Sequence, residues 1–293
     1  MADFSYIPQV LVSGLGIGCV YGLIGIGFCV IYNASGIVNF AQGAFVMLGG
    51  MITHGLLQRY GLPLLPAALI AIAVVALLGV VLERVVVRPL WDRKATMFTM
   101  ILATLAAQIV IERLTLIVGG DQPKTLPVFT DLPPLQIGGV AVSFQLLWIV
   151  GASLLAVGAL AAFFRLTRTG KAMRACAINR EAAALQGIPV SRMLAAAFAI
   201  SAGLGAMAGI LITPTQYTAF NVGVPFAISG FIAAIVGGFG RPFGAFLGGL
   251  MLGLVQSLAI LGFGAGWKTV AALSVLLLFL FIRPSGLLGA ATK

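Results

Sequence analysis

Apolar residues run almost unbroken for about twenty positions at a time along this chain, then stop at Gly, Pro or a charge, as in Leu62–Leu82 and Leu194–Ile212. That length matches one helical crossing of a bilayer. Barrel strands would alternate apolar and polar residues in segments of about ten, and these runs do not. Read against the breaks, the pattern predicts spans near 8–31, 37–57, 64–84, 96–118, 141–164, 193–212, 226–239, 243–262 and 268–283. Segment 226–239 is short and 37–57 starts with polar residues, so either is expected to be re-entrant or part of a broken helix. The fold class expected is all-α, a polytopic transmembrane helical bundle of about 8–10 spans, nine being the best estimate. Residues 1–293 read as a single transmembrane domain.

Composition agrees. Hydrophobic residues make up 61% of the chain, charged residues 8%, and the mean hydropathy is +1.14. Soluble domains hold about 45–50% apolar and about 25% charged residues. Lipid must be the main solvent, and helices satisfy every backbone group there. The glycines add a packing signal: Gly14, Gly18 and Gly22 share a helix face, as do Ser201, Gly205 and Gly209, and the pair Gly249 and Gly253. Small residues at that spacing let helices approach closely. The plain reading is bundle packing, the sharper one packing around a pathway. Cys19, Cys29 and Cys176 are scattered and His54 is the single histidine, so no metal-ligand spacing exists. The stretch around Asp3 lacks a basic leader, so the first apolar run is expected to be retained as a span.

The net charge of +10 sits in short loops between apolar runs, which marks topology rather than nucleic-acid binding. With the N-terminus outside, only Arg59, Arg113, Lys124 and Lys268 fall on the outer side. All other Lys and Arg, including Lys293, fall inside, so the positive-inside bias places the N-terminus in the periplasm and the C-terminus in the cytoplasm. The outer loop 119–140 holds Pro123, Pro127, Pro133 and Pro134, which predicts an ordered non-helical collar. It is too short to capture a solute alone, and a separate protein could dock there.

The longest inside connection, Arg165–Arg192, is basic and carries helix punctuation. Thr169 is a plausible N-cap for a short helix Lys171–Ala177, Asn179 interrupts, and Glu181–Gln186 reads as a second helix. Gly187 suits the left-handed position after a helix end, and Pro189 prevents continuation. A plain membrane anchor would need the basic residues but not the alanine-rich second helix.

Glu181, Ala182, Ala183 and Gly187 match the core of the EAA loop of binding-protein-dependent ABC permeases. With GIVNFAQGAFVMLGG at 36–50, TGKAMRACAINREAAALQGI at 169–188 and AIVGGFGRPFGAFLGGLMLG at 234–253, almost the whole chain resembles the branched-chain amino acid permease family, LivH-like. The resemblance implies a permease subunit in the bacterial inner membrane. Its implied partners are a second, LivM-like permease, two ABC ATPase subunits and a periplasmic substrate-binding protein. No cofactor is implied on this chain itself, and ATP and Mg belong to the partner ATPases. The coupling loop would be built from Gly170, Lys171, Arg174, Glu181, Ala182, Ala183 and Gly187. Small alanines suit a helix seated in a cleft, and Glu181 can pair with a basic partner residue or favour its own helix N-terminus.

Polar residues within the spans are few. Asn33, Asn39 and Gln42, with Ser35, Gly36 and Gly43, read as a discontinuous helix contributing to the pathway, or as a simple inside turn. Thr104, Gln108 and Glu112 form a polar stripe facing the pathway, the second permease or a neighbouring helix. Among ionisable groups at depth only Glu112 stands out, beside Arg113, where an interfacial ion pair is the plain explanation. A pathway so poor in charge suits a hydrophobic or zwitterionic solute. The same family architecture also serves urea, short amides and aromatic acids. A stand-alone ion-coupled transporter or channel would need embedded ionisable groups, an intramembrane enzyme would need nucleophile and base, and no Walker A pattern is present.

Overall fold

A computed structural model of the chain describes residues 6–137 and 139–288, so Asp3 and Lys293 lie outside the described residues. Helices occupy each place where the apolar runs predict one. They are α1 (Ile7–Ser35), α2 (Gln42–Tyr60), α3 (Leu64–Leu82), α4 (Arg88–Asp92), α5 (Met97–Gly119), α6 (Phe144–Leu166), α7 (Arg168–Ile178), α8 (Arg180–Leu185), α9 (Val190–Ile212), α10 (Gly223–Gly237), α11 (Pro242–Phe263) and α12 (Trp267–Ile282). A π-turn at Glu83–Val87 joins α3 to α4 in one rod, Leu64–Asp92. Among the described residues six helices are long and apolar enough to cross a bilayer: α1, the α3–α4 rod, α5, α6, α9 and α11. The chain is therefore a multi-pass membrane protein. The apolar helices α10 and α12 are shorter, with 15 and 16 residues.

The arrangement follows from which faces carry large apolar side chains. In α1, 89% of the apolar stretch is buried, against 11% in α5 and in α6. The first is a core helix and the others are outer ones. Leu77 of α3, Ile117 of α5, Leu155 of α6 and Phe281 of α12 are all exposed, a surface that only lipid or another apolar partner can cover.

Around α1 stand α11, α9 and α10, and the glycine stripes explain how closely. A Cβ on Gly18 would lie 2.8 Å from the Cα of Leu250, and Gly249 and Gly253 lie directly against Gly22, Gly18 and Gly14. The α1 and α11 stripes face each other. The Ser201, Gly205 and Gly209 stripe of α9 faces α2 through Gln42, Phe45 and Val46. Bundle packing therefore accounts for all three stripes. Tyr21 adds a buried hydrogen bond to Gln256 at 2.9 Å.

Among its described residues the loop between α5 and α6 has no helix, as its prolines predict. The all-α reading missed one hairpin in it, β1 (Leu135–Ile137) paired antiparallel with β2 (Val140–Val142). Three residues per strand are too few to show an alternation. The loop is tied down by a bridge between Lys124 and Thr218, by buried Leu126, and by Trp148 donating to Thr130 Oγ1 at 2.9 Å.

Candidate functional site

Two regions gather the residues with chemistry: the break between α1 and α2, and the basic loop α7–α8. At the break, α1 ends on Gly36 with φ +67° and the chain stays non-helical until Gln42. No side chain from the preceding residue caps α2. The N–H groups of the break and of the first turn of α2 are met partly from elsewhere, and those of Gln42 and Ala44 also reach the carbonyls of Asn39 and Ala41. Asn39 Oδ1 accepts from Ala41 N–H at 3.1 Å, Thr104 Oγ1 accepts from Phe40 N–H at 3.2 Å, and Gln108 Oε1 accepts from Ala44 N–H at 2.6 Å. Gln42 donates to the carbonyl of Ser201 at 3.1 Å and accepts from its hydroxyl at 2.7 Å. Unpaired backbone in lipid costs several kcal/mol per group, on the order of 2–7, so this shell permits the break.

The start of α10 meets the start of α2 here. A Cβ on Gly223 would lie 2.8 Å from the carbonyl carbon of Gly43 and 3.1 Å from Gln108 Nε2. The structure thus sets buried Asn39, Thr104 and Gln108 on the backbone of residues 40–44, with buried Gln42 turned to Ser201 of α9, while Asn33 stands apart, donating to the carbonyl of Gly240 at 2.7 Å. Asn39 Nδ2 and Gln108 Nε2 are buried without a hydrogen-bond partner among the described residues. Phe28, Phe40, Phe231 and Phe239 pack edge-on or tilted beside the break.

In the basic loop the cap of α7 is Thr167, not Thr169: its Oγ1 accepts from Gly170 N–H at 2.9 Å. The reason is that α6 turns into α7 with almost no spacer. A Cβ on Gly170 would lie 2.7 Å from the Cα of Phe164, so glycine allows that tight corner. Met173 and Cys176 are buried, whereas Lys171 and Arg174 are exposed. Asn179 is extended and caps α8, accepting from Ala182 N–H at 3.0 Å. At the other end Gly187 has φ +79°, Gly187 N–H donates to Ala184 and Ile188 N–H donates to Ala183, a Schellman closure. Ala183 is buried beneath α8, and Glu181, Ala182 and Leu185 are exposed, Leu185 to 88%.

Two features escaped the sequence reading. Glu83, fully buried, forms a bidentate ion pair with Arg88 at 3.0 and 2.9 Å, and Arg88 reaches the carbonyl of Ser191 at the start of α9. An i, i+5 pair is invisible to helical spacing and becomes close only through the π-turn. Among the described residues this is the one ion pair, so Glu112 is not paired with Arg113. The other is Arg180, whose guanidinium lies 4.7 Å from the centre of the Trp91 ring and beside Gly36.

Two cavities flank α1. One, of about 270 Å³, lies at the basic-loop end and is lined by Val30, Asn33, Leu160, Phe164, Met173 and Arg174, among others. The second, of about 250 Å³, lies towards the hairpin and includes Gln9, Ile17, Ser143, Ile149 and Gln216. Among the described residues no cluster of His, Cys, Asp and Glu could hold a metal.

The fold is thus that of a multi-pass helical membrane protein, with a capped two-helix loop between α6 and α9 and a non-helical stretch between α1 and α2. Residues 10–282 match the family model described as branched-chain amino acid transport system / permease component, and the chain belongs to that family. It is similar to the high-affinity branched-chain amino acid transport system permease protein BraD of Pseudomonas aeruginosa, at 33% identity over 99% of this chain and 98% of that one. It is also similar to the corresponding LivH protein of Escherichia coli, at 30% identity over 98% and 97%. The fructose import permease protein FruG of Bifidobacterium longum is 28% identical over 85% of this chain and 75% of its own. Among solved structures, PsaBC from Streptococcus pneumoniae in complex with Fab shares the fold, with a TM-score of 0.53 and 12% identity over 97% of this chain and 94% of that one.

Proposed function

We propose that this chain is the permease subunit of an ABC importer in the bacterial inner membrane, taking up branched-chain amino acids delivered by a periplasmic binding protein. It carries no ATPase motif of its own. Two ABC ATPase subunits, which bind ATP and Mg, supply the motor, and a second, LivM-like permease completes the membrane unit. The chain crosses the membrane nine times, N-terminus in the periplasm and C-terminus in the cytoplasm, which puts the α7–α8 loop beside the motor. Loop 119–140 then faces the binding protein.

The observation that carries this reading is α8: a short helix closed at both ends, with Glu181, Ala182 and Leu185 exposed and Ala183 buried against the bundle. A rigid element of that kind can seat in a cleft and pass a closing motion to the helices it touches. Gly170, Lys171, Arg174 and Gly187 shape and orient it. Within the bundle, Asn33 lines the cavity at the inner mouth, and Asn39, Gln42, Thr104 and Gln108 hold the broken helix that borders the route.

The test is uptake in vesicles holding this chain, its permease partner, both ATPases and the binding protein, with leucine, urea and benzoate compared. ATP-dependent leucine uptake is expected. Glu181→Lys and Gly187→Val should insert normally and lose uptake. Unchanged uptake by both variants would overturn the coupling role of α8, and preference for urea or benzoate would overturn the solute.

A further inference from the structure

Two helices begin inside the bundle rather than at its ends. α10 has 15 residues, and Phe226 in its first turn packs on Tyr21, central in the 29-residue α1, with ring centres 6.2 Å apart. α2 begins at Gln42, whose side chain lies against Gly27 of α1. The two starts meet where Gly43 and Gly223 lie backbone to backbone, and no side chain of a preceding residue caps either helix. A helix start carries free N–H groups and a partial positive charge. At membrane depth such backbone stands only where protein or a wet route surrounds it.

Two carboxamides stand at this junction with their orientation fixed. Asn39 Oδ1 accepts from Ala41 N–H and Gln108 Oε1 accepts from Ala44 N–H, which commits each oxygen to the start of α2. Turning either amide over would set its NH2 group against a backbone N–H. Both residues are buried, 1% and 3% exposed, and both NH2 groups lack a partner among the described residues. Gln108 Nε2 lies 3.1 Å from the Cβ position of Gly223, the first residue of α10. The groups left over here are therefore donors, and two buried donors at one junction call for an acceptor. Residues 36–50 and α10 carry no titratable side chain, and on α5 Glu112 follows Gln108 one turn further along.

We propose that this junction binds the carboxylate of the amino acid as it passes, on the wall this chain lends to the solute route, with Asn39 Nδ2 and Gln108 Nε2 donating to it. This rests on the importer reading above and deepens it. Helix starts favour an anion, and half-helix starts inside a membrane suit the carboxylate of a solute. No Lys or Arg stands among residues 36–50 or in α10, so dipoles alone hold the anion, weakly enough to let it leave. Half-buried Phe40, Ala107 and Val222 adjoin Asn39, Gln108 and Gly223 in the chain and offer apolar surface to an aliphatic side chain. The junction is closed in this structure. Around Gly43 only Gly223 and Ala227 meet it, so no large side chain interlocks there and a small withdrawal of α10 uncovers the donors.

Gln108→Glu and Asn39→Asp separate the two roles of each amide. Each keeps an oxygen to accept from the backbone and replaces only the NH2 group. In vesicles holding the whole complex, at about pH 8.5, well above the ordinary carboxyl range, the introduced group repels a carboxylate. Leucine uptake relative to wild type should then fall roughly 10- to 100-fold, the loss of one hydrogen bond to a charged group. At about pH 5 a protonated carboxyl donates again, so the ratio to wild type should recover. Recovery in the same vesicles also shows that the variant is folded. Variants that match wild type at the higher pH overturn the site, and so does a loss that stays level across the range. Exchanging chloride for isethionate should leave wild-type uptake unchanged, and a fall would assign the donors to an inorganic anion instead. Wild-type vesicles without ATP-dependent leucine uptake would overturn the importer reading itself, whereas normal wild-type uptake with unaffected variants overturns the carboxylate site alone.

Discussion

Arg180, the first residue of α8, stacks its guanidinium over the ring of Trp91 in α4, 4.7 Å from the ring centre. The same group stands beside Gly36, where α1 ends. A cation at a helix C-terminus is favoured by the helix dipole, and the ring face adds a cation–π attraction. Burial pushes the pKa of Arg180 below the ordinary value for arginine, yet no carboxylate accompanies it among the described residues. The contact ties the exposed loop to two bundle helices at once.

On the importer reading, Arg180→Met should lower the solute moved per ATP hydrolysed several-fold, within the roughly 2- to 30-fold range that about 0.5–2 kcal/mol of cation–π energy spans. Arg180→Lys keeps a cation over the ring and should recover most of the loss, as should Trp91→Phe. Parallel measurement of uptake and phosphate release decides it. An equal drop for Lys and Met would show that charge over the ring is not what matters.

Gln108 reaches across from α5 to accept from Ala44 N–H, near the open start of α2. Gln108→Leu leaves that donor only its longer bond to the Ala41 carbonyl at 3.1 Å, a loss near one net hydrogen bond, about 0.5–1.5 kcal/mol. Thermal unfolding of the purified chain in detergent should show a clear fall in midpoint. No fall would mean that the break is held by packing alone.

Much of this was legible beforehand, because polarity inside an apolar run is conspicuous. Asn39 with Gln42, and Thr104 with Gln108, stood out as two separate groups, but that Thr104 and Gln108 bond the backbone beside Asn39 and Gln42 is a tertiary fact that no local spacing encodes. Gly187 and Asn179 were readable because helix ends have strong residue preferences. The same preferences misplaced the cap of α7 at Thr169, since both threonines fit and only the tight corner at Gly170 selects Thr167. The Glu83 pair stayed hidden behind a π-turn, and the Arg180 stack because Trp91 lies far from it in sequence.

The Glu83–Arg88 pair makes an asymmetric prediction. Glu83 is wholly buried, whereas the Arg88 side chain is 34% exposed and can turn to solvent when freed. Arg88→Met therefore strands a buried carboxylate, and breaking a buried pair from one side costs about 3–5 kcal/mol. Glu83→Gln leaves a cation that water can reach, and should cost about 1–2 kcal/mol, near one lost charge-assisted hydrogen bond. Urea unfolding of the two variants checks the order. Equal losses would indicate that the start of α9, through the Ser191 carbonyl, depends on the pair as a unit.

Glycine is not equally needed along the bundle, and one comparison separates the cases. A Cβ on Gly209 of α9 would fall onto the carbonyl oxygen of Val46 and 2.8 Å from its carbonyl carbon, both backbone atoms of α2. Neither can rotate away, so α9 and α2 must part. Overpacking of this kind costs about 1–3 kcal/mol, and here it would also strain the hydrogen bonds joining Gln42 to Ser201. Gly158 of α6 has nothing within 4 Å of its Cβ position. There alanine only restricts the unfolded chain and favours the helix, a gain of about 0.5–1 kcal/mol. Thermal midpoints of the isolated chain in detergent should therefore move in opposite directions, down for Gly209→Ala and level or up for Gly158→Ala. If both fell alike, close approach at the α9 stripe would not be what the glycines there provide.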